Sequence, residues 1–245
     1  MTNTLTGRKP VLEALKAGRP LERILILRGT HGDTIDEIRR LAEQRGIAIV
    51  DSEKQHFREF TAEAMTQGVI AFSQERALVE LEQILESVRG SGKTGFLLVL
   101  DQIEDPQNLG ALIRTAECAG VQGILLPRHH AAPVSAAVAK ASAGATEHMM
   151  IAEVTNVVTA MEQLKNGGFW IVGLASDGER LYTQADYTVP TVLVVGNEGR
   201  GIRRLVKEHC DHLVRIPLFG KVQSLNASVA AALGMFEVVR QREKL

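Results

Sequence analysis

Three stretches of this 245-residue chain hold side chains whose types and spacing could do chemistry. In the first, Asp105-Pro106-Gln107-Asn108-Leu109-Gly110 leads into Ala111-Leu112-Ile113-Arg114-Thr115-Ala116, with an amide and a guanidinium six positions apart. Asn108 is a good cap for a helix starting at Leu109, and Arg114 then lies inside that helix. Taken alone, Arg114 is equally an ordinary surface arginine. In the second, Val194-Val195-Gly196-Asn197-Glu198-Gly199-Arg200-Gly201-Ile202, an apolar run ends in three glycines within six residues. Such a loop lets the backbone turn sharply and come close to a ligand. The plainer reading is a tight strand-to-helix turn with Glu198 beside a helix N-terminus, where a carboxylate is favourable. The third stretch runs from Ile216-Pro217-Leu218-Phe219-Gly220 through Ser224-Leu225-Asn226 into Ala227–Ala232. Ser224 and Asn226 introduce a small-residue helix whose backbone can pack closely. Either could be a plain N-cap, which leaves the Ile-Pro-Leu run and the Gly220 turn upstream unexplained.

Other chemistries fail on spacing. Gly92-Lys93-Thr94 resembles the end of a P-loop, but the pattern needs glycine at 87, where this chain has Ser87. Its glycines also precede a strand instead of joining a strand to a helix, so a flexible connection is the better reading. The first strand of the larger part, Phe96–Leu100, is followed by no G-x-G-x-x-G, which argues against a nicotinamide or flavin oxidoreductase. Cys118 and Cys210 lie far apart and form neither a C-x-x-C pair nor a zinc set, so no metal is expected.

The elements that must position these residues alternate between strand and helix. Residues 1–73 read as a small α/β unit: strands at Ile24–Leu27, Ile47–Val50 and Val69–Phe72, a helix over Asp33–Arg45, and a helix holding Phe57 and Phe60 that Ser52 could cap. That alternation predicts a largely parallel sheet. Residues 74–94 read as a linker carrying an amphipathic helix at Leu78, Leu81, Ile84, Leu85 and Val88. Residues 95–245 read as a second α/β domain. Its predicted strands are Phe96–Leu100, Ile124–Leu126, Trp170–Leu174, Val192–Val195 and Val214–Ile216. Its predicted helices are Leu109–Ala119, Ser135–Ala143, Thr155–Leu164, Arg203–Glu208 and Asn226–Arg240. In such domains ligands sit at the carboxyl ends of the strands.

Composition sets the class. Apolar residues make up 45% and charged residues 23%, enough for a buried core, and the net charge is −1, so no basic coat covers the whole molecule. Positive charge is local: +4 over residues 1–30 and +3 over 196–222. No secretory signal and no membrane-spanning apolar run are visible, and two cysteines cannot make a disulfide scaffold. A cytoplasmic protein with no membrane attachment is the expectation. At 4% aromatics, nucleic-acid binding by extensive base stacking is disfavoured against backbone and shape readout.

Taken together, the three stretches resemble the three motifs of the SpoU/TrmH family of the SPOUT superfamily, knotted RNA ribose methyltransferases that use S-adenosylmethionine. The resemblance rests on the Asn108…Arg114 spacing, the V-x-G-N-E-G-x-G run and the I-P-x-x-G…S-L-N-x-S-V-A run, in the family's order. Gly7-Arg8-Lys9-Pro10-Val11 and Gln67-Gly68-Val69 are similar to the start and the closing strand of the family's small RNA-binding domain of ribosomal-protein L30e type, although Thr66 stands where close relatives usually have histidine.

The resemblance implies an α/β fold with a parallel sheet and a deep trefoil knot over residues ~190–240, an exception to the rule against threading. It implies that Arg114 is the catalytic arginine, with Asn108, Glu198, Ser224 and Asn226 around it. It further implies that Gly196, Ile216 and Leu225 hold S-adenosylmethionine, and that the chain forms a homodimer through the knotted domain. Arg8, Lys9, Arg28 and Arg200 are the expected RNA contacts. The subgroup it points to methylates a guanosine ribose of large-subunit (23S) ribosomal RNA. A transfer RNA substrate and a non-catalytic ribosome-binding module are the competing readings. On this reading Gly196→Val weakens cofactor binding with little loss of fold.

Overall fold

Short polar segments can complete a sheet that no periodicity announces, and the N-terminal strand here is one. In the computed structural model, which describes residues 3–58, 66–73 and 78–243, the chain divides into two units. The first comprises Met1–Ala77 together with Val134–His148. It holds β1 (Asn3–Thr6), α1 (Arg8–Lys16), β2 (Leu21–Leu27), α2 (Asp33–Gln44), β3 (Ala48–Ser52), α3 (Lys54–Arg58) and β4 (Val69–Ser73). The sheet order is β1-β4-β2-β3, and only β2 and β3 run parallel; β4 is antiparallel to both its neighbours. The expected largely parallel sheet is therefore corrected to a mixed one. The strand that was missed, β1, reads Asn-Thr-Leu-Thr, and its one apolar residue, the buried Leu5, gives no alternating signal. Ser52 is the last residue of β3, just before α3, and Phe60 lies outside the described residues.

The second unit, Leu78–Pro133 with Met149–Leu245, carries a seven-stranded parallel sheet. Its elements are α4 (Leu81–Gly90), β5 (Phe96–Asp101), α5 (Pro106–Cys118), β6 (Gly123–Pro127), β7 (Ile151–Val154), α7 (Val157–Asn166), β8 (Trp170–Leu174), β9 (Arg180–Leu181), β10 (Thr191–Gly196), α8 (Arg204–Glu208), β11 (His212–Arg215) and α9 (Ala227–Arg242). The order is β7-β6-β5-β10-β8-β11-β9. The central strands β5 and β10 are buried at every position, as a parallel sheet covered on both faces requires. On one face Leu97, Val99, Val192 and Val194 pack with Ile84 and Val88 of α4, Met161 and Leu164 of α7 and Val206 of α8. On the other, α9 comes so close that a Cβ at Gly234 would lie 3.0 Å from Leu174 and Leu193. The helix inside the expected 74–94 linker is thus a core element of this unit.

Between β6 and β7 the chain leaves for the first unit. There α6 (Ala136–Ala141) adds Ala139 to the core of Leu5, Val11, Leu15 and Ile26. Gly144 sits at φ +91 with its Cα against α1, where a Cβ would come within 2.7 Å of Glu13. Arg19 and Glu147 form a nearly buried ion pair at 2.8 Å, and His148 bonds Glu13 at 2.8 Å. Residues 95–245 are therefore not contiguous in space, and the helix predicted over Ser135–Ala143 is shorter than expected.

Candidate active site

Asn226 is where the three chemical stretches meet. It is the N-cap of α9, and its Oδ1 accepts the N–H groups of Ser228 at 2.9 Å and Val229 at 3.4 Å. That leaves its Nδ2 free to donate elsewhere, to Asn108 Oδ1 at 2.9 Å and to Glu198 Oε1. The same Glu198 oxygen accepts the N–H of Ala227 at 3.3 Å. A carboxylate thus sits at the positive end of α9, the placement such a charge favours. It is a helix N-terminus as expected, but that of the last helix, not of the one following the glycine loop. The side chain of Asn108 is available because it is not a cap. Asp105 caps α5 by accepting the N–H of Gln107 at 2.9 Å, and Pro106 takes the first helical position, where a missing N–H costs nothing. Asn108 therefore lies in the first turn of α5, a correction to the expected cap.

The glycine-rich loop is shaped by an amide the sequence reading left without a role. Asn197 Oδ1 accepts the N–H groups of Gly199 at 2.9 Å and Arg200 at 3.3 Å, and its Nδ2 donates to Gln102 O at 3.1 Å. Its backbone exchanges two hydrogen bonds with Gly201, at 2.8 and 3.1 Å. The loop folds so tightly that a Cβ on Gly196 would lie 2.2 Å from the carbonyl carbon of Gly201 and 2.3 Å from the nitrogen of Ile202. At the far end of the loop, Arg203 clamps the fully buried Asp101 of β5. Its Nε and backbone N each donate at 2.8 Å. Neither Asn197, Asp101 nor Arg203 figured among the expected site residues. A buried aspartate at a strand end, with charged residues following a glycine loop, was the available signal.

A cavity of about 530 Å³ opens beside this junction at the carboxyl ends of β8, β10 and β11. Leu174, Val195, Ile216, Leu218 and Leu225 supply apolar walls, and the 196–201 loop supplies backbone. Of the expected residues, Gly196, Glu198, Arg200, Ile216, Ser224 and Leu225 all line it. Asp177 and Lys207 stand at its rim, joined at 2.7 Å through both carboxylate oxygens, and that hydrogen bond holds the Asp177 carboxyl below its ordinary range. Volume and lining suit a molecule of nucleoside size with a flat apolar part and polar edges. The glycine backbone at Gly196, with no room for a Cβ, is what a ligand held by main-chain groups requires. The residues present fit S-adenosylmethionine.

Arg114 stands apart from the junction. It is exposed on α5, six residues and so about 9 Å along the axis from Asn108, and makes no hydrogen bond or ion pair among the described residues. The expected RNA contacts divide. Lys9 is exposed, and Arg28 is exposed and paired with Glu53 at 3.2 Å. Arg8 instead spends its guanidinium on the carbonyls of Gln67 at 3.1 Å and His31 at 3.3 Å, which ties α1 to the turn before β4.

Comparison with known proteins agrees with this geometry. The sequence profile of the SpoU rRNA Methylase family matches residues 95–236, and that for RNA 2'-O ribose methyltransferase substrate binding matches residues 4–77. The chain is 38% identical over 236 residues to the Bacillus subtilis (strain 168) protein YacO, which carries the name TrmH family tRNA/rRNA methyltransferase; the match covers 96% of this chain and 94% of that one. The fold superposes on the SpoU methyltransferase AviRb of Streptomyces viridochromogenes in complex with AdoMet, with a TM-score of 0.83 at 24% identity, covering 100% of this chain and 92% of that one. An AdoMet-bound rRNA methyltransferase of Sinorhizobium meliloti gives a TM-score of 0.80 at 25% identity, covering 98% and 87%. With its two profile matches spanning nearly its whole length and its three motifs meeting at Asn226, the chain belongs to the SpoU/TrmH family of RNA 2'-O-ribose methyltransferases.

Proposed function

We propose that this protein methylates the ribose 2'-hydroxyl of a guanosine in large-subunit (23S) ribosomal RNA, as a cytoplasmic homodimer, with S-adenosylmethionine as methyl donor. The observation that carries the reading is the hydrogen-bonded meeting of Asn108, Glu198 and Asn226 at the edge of a nucleoside-sized cavity. Bound there, S-adenosylmethionine supplies a methyl carbon made electrophilic by its sulfonium. Backbone of Gly196, Ile216 and Leu225 would hold it, with Ser224 at the polar edge. The chain has two remaining tasks: to set the hydroxyl oxygen about 3–3.5 Å from that carbon, and to stabilise the charge that develops as the proton leaves.

Arg114 suits the second task. A guanidinium offers N–H donors in a planar fork and no acceptor, so Arg114 acts as an electrostatic clamp on phosphate and alkoxide, not as a base. Being exposed and unpartnered among the described residues, it is available to RNA. The substrate-binding match over residues 4–77 and the rRNA methyltransferase among the structural neighbours, alignable over 98% of this chain, support ribosomal RNA. The tRNA/rRNA name of YacO keeps transfer RNA as the second reading. The trefoil knot implied by the motifs over residues ~190–240 belongs to the same proposal. Support for the homodimer is an apolar stripe, Val229, Leu233 and Phe236, left 39–48% exposed along α9.

The test is transfer of labelled methyl from S-adenosylmethionine to unmodified 23S ribosomal RNA and, separately, to bulk transfer RNA, with the labelled position mapped. Label on a ribosomal guanosine ribose, lost in Arg114→Ala and in Arg114→Lys, is the expected outcome. Near-normal turnover of Arg114→Lys overturns the clamp, since lysine lacks the planar fork. Label confined to transfer RNA overturns the substrate.

A further inference from the structure

The segment that leaves β6 carries three side chains that neither the fold nor the cavity uses. Arg128, His129 and His130 follow Pro127 directly; all three are exposed, and none of their side chains has a hydrogen bond or ion pair among the described residues. The turn that displays them is held at both ends. Arg128 N donates to Val154 O at 2.9 Å, tying it to the end of β7, and Ala132 N donates to Ile103 O at 2.8 Å, tying it to the β5–α5 connection. His130 adopts φ +59, a left-handed backbone conformation that few residue types take readily. The carboxylates nearest on these elements are Glu104, Asp105 and Glu153. None pairs with the three, and the Asp105 side chain is committed to capping α5.

The position is also informative. β6 lies beside β5 and one strand further from β10, whose carboxyl ends lead to Asn108 and Glu198. Two strand spacings are about 10 Å. The cofactor cavity lies the other way, at the ends of β8, β10 and β11. An RNA strand whose ribose meets the methyl group at the Asn108–Glu198–Asn226 junction has the cofactor cavity on one side and the ends of β5 and β6 on the other. On that second side the turn after β6 presents these three exposed side chains.

We infer that Arg128, His129 and His130 form a phosphate clamp for the RNA strand flanking the target ribose, positioning substrate without touching the reacting atoms. The chemistry fits: a guanidinium fork grips a phosphate bidentately, and imidazole N–H groups donate to phosphate oxygens. Contacts of this kind set register without reading bases. The inference rests on the RNA methyltransferase reading above.

The test measures binding of unmodified 23S ribosomal RNA across a salt series at fixed pH. Wild type is compared with Arg128→Ala and with a double variant His129→Ala, His130→Gly, glycine being chosen because it accepts the positive φ. Arg128→Ala is expected to weaken binding roughly tenfold and to flatten the salt dependence by about 0.7 in the log–log slope, the loss of one phosphate contact. Its KM for RNA rises, while affinity for S-adenosylhomocysteine and melting temperature stay at wild-type values. RNA affinity and slope both unchanged in both variants, with wild type still methylating RNA, overturns the clamp alone and leaves the loop to solvent or to a protein partner. Failure of wild type to bind or methylate RNA overturns the functional reading itself.

Discussion

At the scale of single residues, Asn226 carries two loads that substitution can separate. Asn226→Ala removes both the α9 cap and the amide that joins Asn108 to Glu198, and should cost about 1–2 kcal/mol in urea unfolding as well as methyl transfer. Asn226→Ser keeps a capping oxygen of equal preference but is too short to bridge. Its stability should stay within about 0.5 kcal/mol of wild type while activity falls as in the alanine variant; equal stability losses in the two would show the amide to be only a cap. Asn226, Glu198 and Asn108 stand together as a set in the sequence only through the resemblance of their three stretches to the SpoU/TrmH motifs; taken singly, each reads as a cap or a turn residue. Which of them caps what is not legible there. Asp105 and Asn108 are both good caps, and the choice fell to Pro106, which fits only at the first helical position. Asp101 and Arg203 carry only the weak signal of an aspartate closing an apolar strand and an arginine in a charged run, and nothing local links the two across 102 positions.

At the scale of elements, the glycine loop after β10 resists any side chain. The expectation that Gly196→Val would spare the fold does not survive the structure, since even a single Cβ meets backbone at 2.2–2.3 Å instead of a flexible side chain. Gly196→Ala should lose about 1–3 kcal/mol of stability, read as a lowered melting temperature, together with S-adenosylhomocysteine binding by calorimetry. Helix α9 has a pH-sensitive contact at its other end. Glu237 is nearly buried and accepts both arms of Arg240 at 2.8 Å and Gln241 at 2.8 Å, so its carboxyl is held below the ordinary range, chiefly by Arg240 against the opposing effect of burial. A depressed carboxyl stabilises the fold above its unfolded value, about 4.3, and that contribution is lost as pH falls through the lower folded value. Glu237→Gln should therefore be less stable than wild type at pH 7, with the gap closing in urea titrations below about pH 4. The helices and central strands of the second unit were legible because runs such as Val192–Val195 are long and apolar. The two-residue β9 and the polar β1 were not, because their order comes from neighbours across the sheet.

At the scale of the whole molecule, the net charge of −1 hides two locally positive stretches, 1–30 and 196–222, and the apolar stripe on α9 is the surface that a second copy would cover. Phe236→Glu should shift the protein to monomer in sedimentation experiments with an unchanged circular dichroism spectrum; a dimer that persists would place the interface elsewhere. The division into units was only partly legible. A boundary within 74–94 follows from composition, and the structure draws it at residue 78; the return of 134–148 to the first unit rests on Ala139 and Gly144 packing with the N-terminal core and on the Glu147–Arg19 pair, long-range fits that leave no local pattern. The meeting at Asn226 has one further consequence, for the order of events during synthesis. Asn108 and Glu198 are made 118 and 28 residues before the amide that joins them. Ile216, Leu225 and the α9 N-terminus, which complete the cavity, follow the rest of its wall. A growing chain therefore has neither cofactor pocket nor assembled site until α9 has emerged and docked, and the newly made enzyme stays silent toward the RNA beside it until then.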